Sequence, residues 1–427
     1  MSAVETMTKP VSPTASLKVP LLQQEGEIEP DRSRRYLVEG LLFSMYLVFG
    51  ISWLAYAPLM QELSVAFDLS KADGGLLISL VSLAKAFVPL FAGAMAARLG
   101  MHRALLVGSC FAALAIFIPF MPNKIALLAG RFLFGVGGAI IVTLMGPMVM
   151  TWFKKDELPM VTGLNNVAVN TGITVALYVT IPASKHLGWK NALVMFGALC
   201  AGLAVLWAVF GAEGPLTGKP KATPGAVEDK PSIMEVLKRP ETYWLGLAFT
   251  GPLSLYLALN SFLPLHYQLA FGLERSAASQ MTGLFNLVGI PVAVIGGFLC
   301  AKLGKRRPLI IVAGLAMPVS SYLLVFSPEH STRVVGAVIL GASLFLYVAP
   351  LFTIPMELPD IDPARVALMM GCVFSLAYII STVSPWLTGY LFEKYGTYEY
   401  GLKLFCFTSA LLALGGFMLP ETGTGRK

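Results

Sequence analysis

The sequence predicts an all-α membrane protein: twelve transmembrane helices arranged as two pseudo-symmetric bundles of six. Three observations carry that expectation. The composition is too apolar for a water-facing surface, the apolar residues fall into twelve runs of spanning length, and a turn of glycines and cations occurs once in each half. The chain is 56% hydrophobic and only 13% charged, with a mean hydropathy of +0.72. A soluble domain carries about 25% charged residues, so lipid is the natural solvent for this exterior. The net charge of +7 raises nucleic acid as a partner. The cations, however, sit in short loops between apolar runs, where membrane topology requires them, and no nucleic-acid role is expected.

Residues 1–35 are polar and carry Pro10, Pro13, Pro20 and Pro30. They lack the apolar core of a signal peptide and read as a disordered tail ending in a basic collar of Arg32, Arg34 and Arg35. The first six apolar runs cover about 36–60, 74–97, 103–121, 124–151, 161–183 and 189–211. Each reaches the ~20 residues that a helical span needs. They are continuously apolar, whereas barrel strands alternate apolar with polar. The segment 212–241 is rich in proline and lysine and reads as a linker. Its end, 232–238, has the pattern of a short amphipathic helix on the membrane surface. The second six runs cover about 242–266, 279–301, 307–326, 333–356, 364–392 and 400–419, and 420–427 form a tail. This divides the chain into bundles at 36–211 and 242–419.

Loop cations set the orientation. Arg98, Arg103, Lys154, Lys155, the linker lysines, Lys302, Lys305, Arg306, Arg307 and Arg365 lie on the side of the tails, and the opposite side is poorer in cations. Both termini and the linker are therefore expected in the cytoplasm, and the membrane is expected to be a bacterial inner membrane or one derived from it. The five cysteines are dispersed among apolar runs and have neither a disulfide framework nor metal-ligand spacing.

The duplicated turn is the most specific motif. Gly93, Arg98, Gly100 and Arg103 recur at a constant offset as Gly297, Lys302, Gly304 and Arg307, and internal repetition marks two copies of one unit. With twelve spans and a central linker, this pattern resembles the major facilitator superfamily, whose turn reads roughly Gly-x-x-x-Asp-Arg-x-Gly-x-Arg-Arg. His102 stands where the first of the final arginines would be, and the Asp position is Ala97 in one copy and Ala301 in the other. In the family that Asp helps latch the two halves, so the resemblance implies a fold and a rocking carrier but not that latch. Arg131 to Ala139 resembles the family's Arg-x-x-x-Gly-x-Gly-x-Ala in span four. Gly163 and Gly172 match half of an antiporter signature, with Ala176-Leu177 in place of its final Gly-Pro. Trp152-Phe153 and the charged residues after it are similar to the turn of anion-carrying branches.

Charges inside spans point to chemistry, because each costs at least a few kcal/mol at mid-bilayer. Lys85 and Arg131 are the two deep cations, and no Asp or Glu lies as deep. Two positive charges without acidic partners predict a site for a small anion. Arg131 has a structural alternative, holding backbone carbonyls. Asn166, Asn170, Thr174 and Tyr178 share one face of span five, and Tyr56, Tyr256, Asn260 and Tyr378 add polar groups in spans one, seven and eleven. Cavity lining and helix–helix adhesion both accommodate them. Pro89 and Pro291 repeat between halves, as gating interruptions do. His266 is the one histidine placed for proton linkage.

No nucleotide loop, metal-ligand pair or nucleophile–base arrangement stands out, so the expectation is a transporter and not an enzyme, without a cofactor or metal. The expected partners are the lipid bilayer and a small-molecule substrate, an organic or inorganic anion, and the expected state is a monomer. One alternative is a carrier of iron or another metal, free or chelated, in a specialised bacterial membrane such as the magnetosome. The absence of deep Asp, Glu or His weighs against a bare divalent cation, which wants oxygen or nitrogen ligands. Another is a non-transporting sensor or scaffold on the same fold.

Overall fold

Apolar residues on every side of a helix leave it two environments, a protein interior or lipid, and this chain uses both. The computed structural model describes residues 32–153, 157–215, 233–359 and 363–423, and these contain sixteen α-helices. In chain order they are α1 (Arg32–Leu54), α2 (Met60–Phe67), α3 (Lys71–Leu99), α4 (Met101–Ala113), α5 (Lys124–Met150), α6 (Leu158–Leu187), α7 (Trp189–Phe210) and α8 (Ile233–Leu237). They continue as α9 (Pro240–Phe271), α10 (Arg275–Leu303), α11 (Arg307–Phe326), α12 (His330–Leu346), α13 (Val348–Glu357), α14 (Pro363–Tyr395), α15 (Glu399–Thr408) and α16 (Leu411–Met418).

Eleven spans among the described residues are long and apolar enough to cross a membrane, and Met101–Ile116 is a shorter apolar helix. Each of the twelve expected runs therefore has its helix, although three are broken. Span one divides into α1 and α2 around Pro58, span ten into α12 and α13 at Tyr347, and span twelve into α15 and α16. Proline explains two of these breaks. Pro58 and Pro350 have no N–H to return to the carbonyls of Leu54 and Leu346, four residues earlier. Span three ends as two 3₁₀ turns, Leu114–Ile116 and Ile118–Phe120, where a continuous helix was expected. Residues 1–31, most of the linker, Lys154, Lys155 and Asp156 lie outside the described residues.

Local chemistry sets the remaining ends. Ser70 and Asp73 form a reciprocal capping box at the start of α3, and Asn123 caps α5. Gly100 (φ 84°) and Gly304 (φ 61°) turn the chain tightly between spans in the two copies of the repeat, a conformation that favours glycine.

The helices assemble as two six-span bundles that meet along two seams, α3 against α14 and α6 against α10. Outward-facing Val205, Val209, Phe298, Val312 and Phe407 are exposed on the outer surface, as helices facing lipid require. We call the end that carries the start of α1, α8 and Gly423 the terminal face, and the opposite end the far face. At the far face the halves are tied together. Arg275 makes a two-pronged contact with Glu62 (2.6 and 2.7 Å) and also donates to the Pro58 carbonyl. Lys185 pairs with Glu274 at 2.8 Å, and the Ala72 N–H donates to Glu393 at 2.9 Å. Gly75 lies directly on the Pro385 carbonyl and Gly389 on that of Lys71, approaches that a Cβ would block. At the terminal face the bonds seen among the described residues run within a half. Trp152 donates to the Ala212 carbonyl at 3.0 Å and Arg306 pairs with Glu357 at 2.6 Å. The seams therefore close at the far end, and a central cavity lies between the halves.

Candidate functional site

Lys85 lies in the middle of α3, packed against α1 and facing the second half. Its Nζ donates to the Tyr46 hydroxyl at 3.3 Å. It lies 4.5 Å from the Trp53 ring centre, and 5.6, 5.7 and 5.9 Å from those of Tyr46, Phe49 and Tyr378. Trp53 is itself fixed, its indole N–H donating to the Ile78 carbonyl at 3.2 Å. Only 5% of Lys85 is exposed, and among the described residues no carboxylate pairs with it. Cation–π contacts are worth about 0.5–2 kcal/mol each, against several kcal/mol to desolvate an ammonium ion. The rings and one phenol hold the ammonium in place but supply no counter-charge.

The cavity beside Lys85 has a volume of about 220 Å³. Residues of both halves line it. Tyr46, Trp53 and Lys85 come from α1 and α3, and Asn170 from α6. Tyr256 of α9, Tyr347 at the α12–α13 break, Phe352 of α13 and Tyr378 of α14 come from the second half. Two hydrogen bonds cross between the halves here. The Tyr256 hydroxyl donates to Asn170 Oδ1 at 3.0 Å. Ser375 Oγ donates to the carbonyl of Ala86, next to Lys85, at 2.6 Å. No Asp, Glu, His or Cys is among the described lining residues, and no group of three or more such side chains suited to a metal occurs among the described residues.

Of the residues expected at a site, Lys85, Asn170, Tyr256 and Tyr378 line this cavity together. Asn166 lies in α6, but its side chain is outside the described residues. Arg131 is elsewhere. Fully buried, it donates to the carbonyls of Leu77 (2.9 Å), Ser52 (3.2 Å) and Trp53 (2.6 Å). Ser52 and Trp53 are in the last turn of α1, where carbonyls lose their helical partners, so the guanidinium fork caps a broken helix. Tyr56 stacks on it at 4.0 Å and is likewise away from the cavity. Asn260 sits behind the wall, accepting from Asn286 at 2.8 Å and donating to the Tyr256 carbonyl at 2.9 Å. His266 is buried among Tyr267, Phe271 and Phe326, with Nε2 3.1 Å from the Val325 carbonyl. Ser381 and Ser384 of span eleven bond to α9 through Ser254 and Thr250, acting as helix adhesion.

The duplicated turns lie at the terminal face. Gly93 and Gly297 have open space around them, and Arg98, Arg103 and Lys302 are exposed. Arg307 donates to the Gly416 and Phe417 carbonyls at 3.0 and 2.8 Å. Each turn is held by a carboxylate that sequence reasoning missed. Glu213, just after α7, accepts from the His102 N–H at 3.0 Å. Glu421, just after α16, accepts from the Arg306 and Arg307 N–H groups at 2.7 and 3.1 Å. A glutamate shortly after the last helix of each half was the available signal. The aromatic wall of the cavity was missed as well. Phe249, Phe352 and Phe374 are indistinguishable by type from the many phenylalanines that face lipid.

A family model described as Major Facilitator Superfamily matches residues 42–367. The nitrite extrusion protein of Bacillus subtilis is 23% identical over 388 residues, covering 90% of this chain and 94% of its own. A probable sulfoacetate transporter of Cupriavidus necator is 23% identical over 409 residues, covering 89% and 92%. Among solved structures, a bacterial homologue of the human lysosomal transporter Spinster superposes with a TM-score of 0.73 at 16% identity, over 91% of this chain and 98% of that one; at that identity it speaks for the fold alone. The match over most of the chain, on two six-span bundles around a shared cavity, places this protein in the major facilitator superfamily, as a membrane transporter and not an enzyme.

Proposed function

We propose that this protein is a secondary transporter of a small anion, moved by alternating access, with Lys85 as the charge partner of the cargo. The observation that carries this reading is a buried ammonium, without a carboxylate partner among the described residues, at a cavity lined by both halves. A buried charge is tolerable when paired, and a visiting anion is the missing pair. Binding energy from both halves lets the cargo bias the rocking equilibrium, since a ligand shifts it only through differential affinity. Relatives named for nitrite and sulfoacetate export or transport agree with an anion. The carboxylate, imidazole and thiolate ligands that a bare metal cation favours are missing from the described lining, which disfavours the metal-carrier alternative. We further propose that 36–211 and 242–419 move as the two units joined by 212–241, with both termini cytoplasmic in a bacterial inner membrane and the protein working as a monomer.

The test is counterflow in proteoliposomes with a panel of labelled anions, using wild type and Lys85→Met. Wild type is expected to exchange at least one anion and the variant, inserted to the same level, to lose that exchange. Unchanged exchange by Lys85→Met sinks the proposal.

A further inference from the structure

The two halves contribute different chemistry to the cavity. The first half supplies Lys85 and three of the four rings that hold it, Tyr46, Phe49 and Trp53. The second supplies a corner of phenylalanines, one each from α9, α13 and α14. Phe249 stands edge-on to Phe352 (5.1 Å, 76°) and to Phe374 (5.7 Å, 78°), and Phe352 lies 5.1 Å from Phe374. Tyr378 joins the two parts. Its ring lies 5.9 Å from the ammonium, 6.2 Å from Phe249 and 6.5 Å from Phe374. The site is thus a cation at one end and an aromatic corner at the other.

From this arrangement we infer that the cargo is a monocarboxylate with a flat aromatic body, its carboxylate on Lys85 and its ring in the corner of Phe249, Phe352 and Phe374. The inference rests on the anion reading above and narrows it. One cation lines the cavity among the described residues, so a dianion would carry a second charge into an apolar wall without a partner, at a cost of several kcal/mol per ion. Size points the same way. A dry cavity of about 150 Å³ lined by apolar side chains holds benzene, and this one has about 220 Å³, leaving room for a ring plus a carboxylate. An inorganic oxyanion of a few atoms would fill little of it and leave water against Val169, Ile173, Leu253 and Leu344, which also line it. Edge-to-face and offset contacts among rings favour a flat aromatic over a saturated body. Such a cargo touches one half with its charge and the other with its ring, so only the whole ligand draws both halves together.

The experiment is ligand-dependent thermal stability of the purified full-length protein, followed by counterflow of the ligands that bind. The probes are benzoate, cyclohexanecarboxylate, nitrite, phthalate and the neutral benzamide, each on wild type, Lys85→Met and Phe374→Leu. Benzoate is expected to bind wild type at least about tenfold more tightly than any other probe. Lys85→Met should abolish its effect, and Phe374→Leu should weaken it by about three- to tenfold, the worth of one aromatic contact. The wild-type ranking decides by itself if Phe374→Leu fails to fold. Nitrite binding that needs Lys85, with benzoate silent, overturns the aromatic inference and leaves the anion reading standing. A response to cyclohexanecarboxylate or phthalate equal to that of benzoate overturns it too. Equal response to benzamide and benzoate, or no response to any anion by folded protein, overturns both.

Discussion

Lys85 and Arg131 are both buried cations within apolar spans, and they do opposite jobs. Arg131 has a full set of acceptors, three carbonyls that meet its planar fork. Lys85 has one phenol and a ring cage. Hydrogen bonds to a charged group contribute about 1.5–3 kcal/mol each, so Arg131→Met is expected to destabilise the first half by several kcal/mol, read as a lower thermal midpoint in detergent. Arg131→Lys should recover little of it, because one ammonium cannot copy the fork. Lys85→Met is expected to leave the thermal midpoint of the ligand-free protein within a few degrees of wild type or raise it, since it removes an uncompensated buried charge. A midpoint lowered as far as that of Arg131→Met would show that Lys85 is structural. Sequence alone singled out both residues, because a charge in an apolar run is conspicuous. It gave Arg131 a structural alternative without deciding it, because two of its three acceptors, the Ser52 and Trp53 carbonyls, are main-chain atoms at a helix end 78–79 positions away in the chain.

Helix ends decide where the halves hold. Neither copy of the repeated turn has the acidic residue that would latch one half to the other; each is instead tied to its own half by Glu213 or Glu421. Glu421→Gln is expected to lower the thermal midpoint more than Glu213→Gln, since Glu421 accepts from two backbone N–H groups and Glu213 from one. About 1 kcal/mol per lost bond sets the scale. The charged ties between halves among the described residues are at the far face, with the Arg275–Glu62 fork as the strongest by geometry. That pair is about a quarter exposed, which holds its worth near 1 kcal/mol. Glu62→Gln is therefore expected to raise the ratio of far-open to far-closed molecules about fivefold. Distance distributions between spin labels placed on α2 and α10 measure it, and an unchanged distribution contradicts the assignment of this pair as a clamp.

At the scale of the whole molecule, most of the architecture was legible in the sequence. Lipid admits few solutions for the backbone, and helices of spanning length are the main one. Each of the twelve apolar runs has its helix, and the repeated glycine turns mark equivalent places in the two bundles. The breaks at Pro58 and Pro350 were legible as prolines but not as sites. Only packing shows that one frees carbonyls for Arg131 and the other places Tyr347 on the cavity. The candidate site was half legible. Its polar members, Lys85, Asn170, Tyr256 and Tyr378, stand out against apolar neighbours, whereas its phenylalanines are the same residue that the chain offers to lipid. The proposed function places Lys85 as the charge partner of a bound anion in the cavity between the halves. The most direct measurement is the anion-induced rise in thermal midpoint of wild type beside that of Lys85→Met at equal anion concentration. A concentration-dependent rise is expected in wild type and none in the folded variant; an equal rise in both rules out Lys85 as the charge partner.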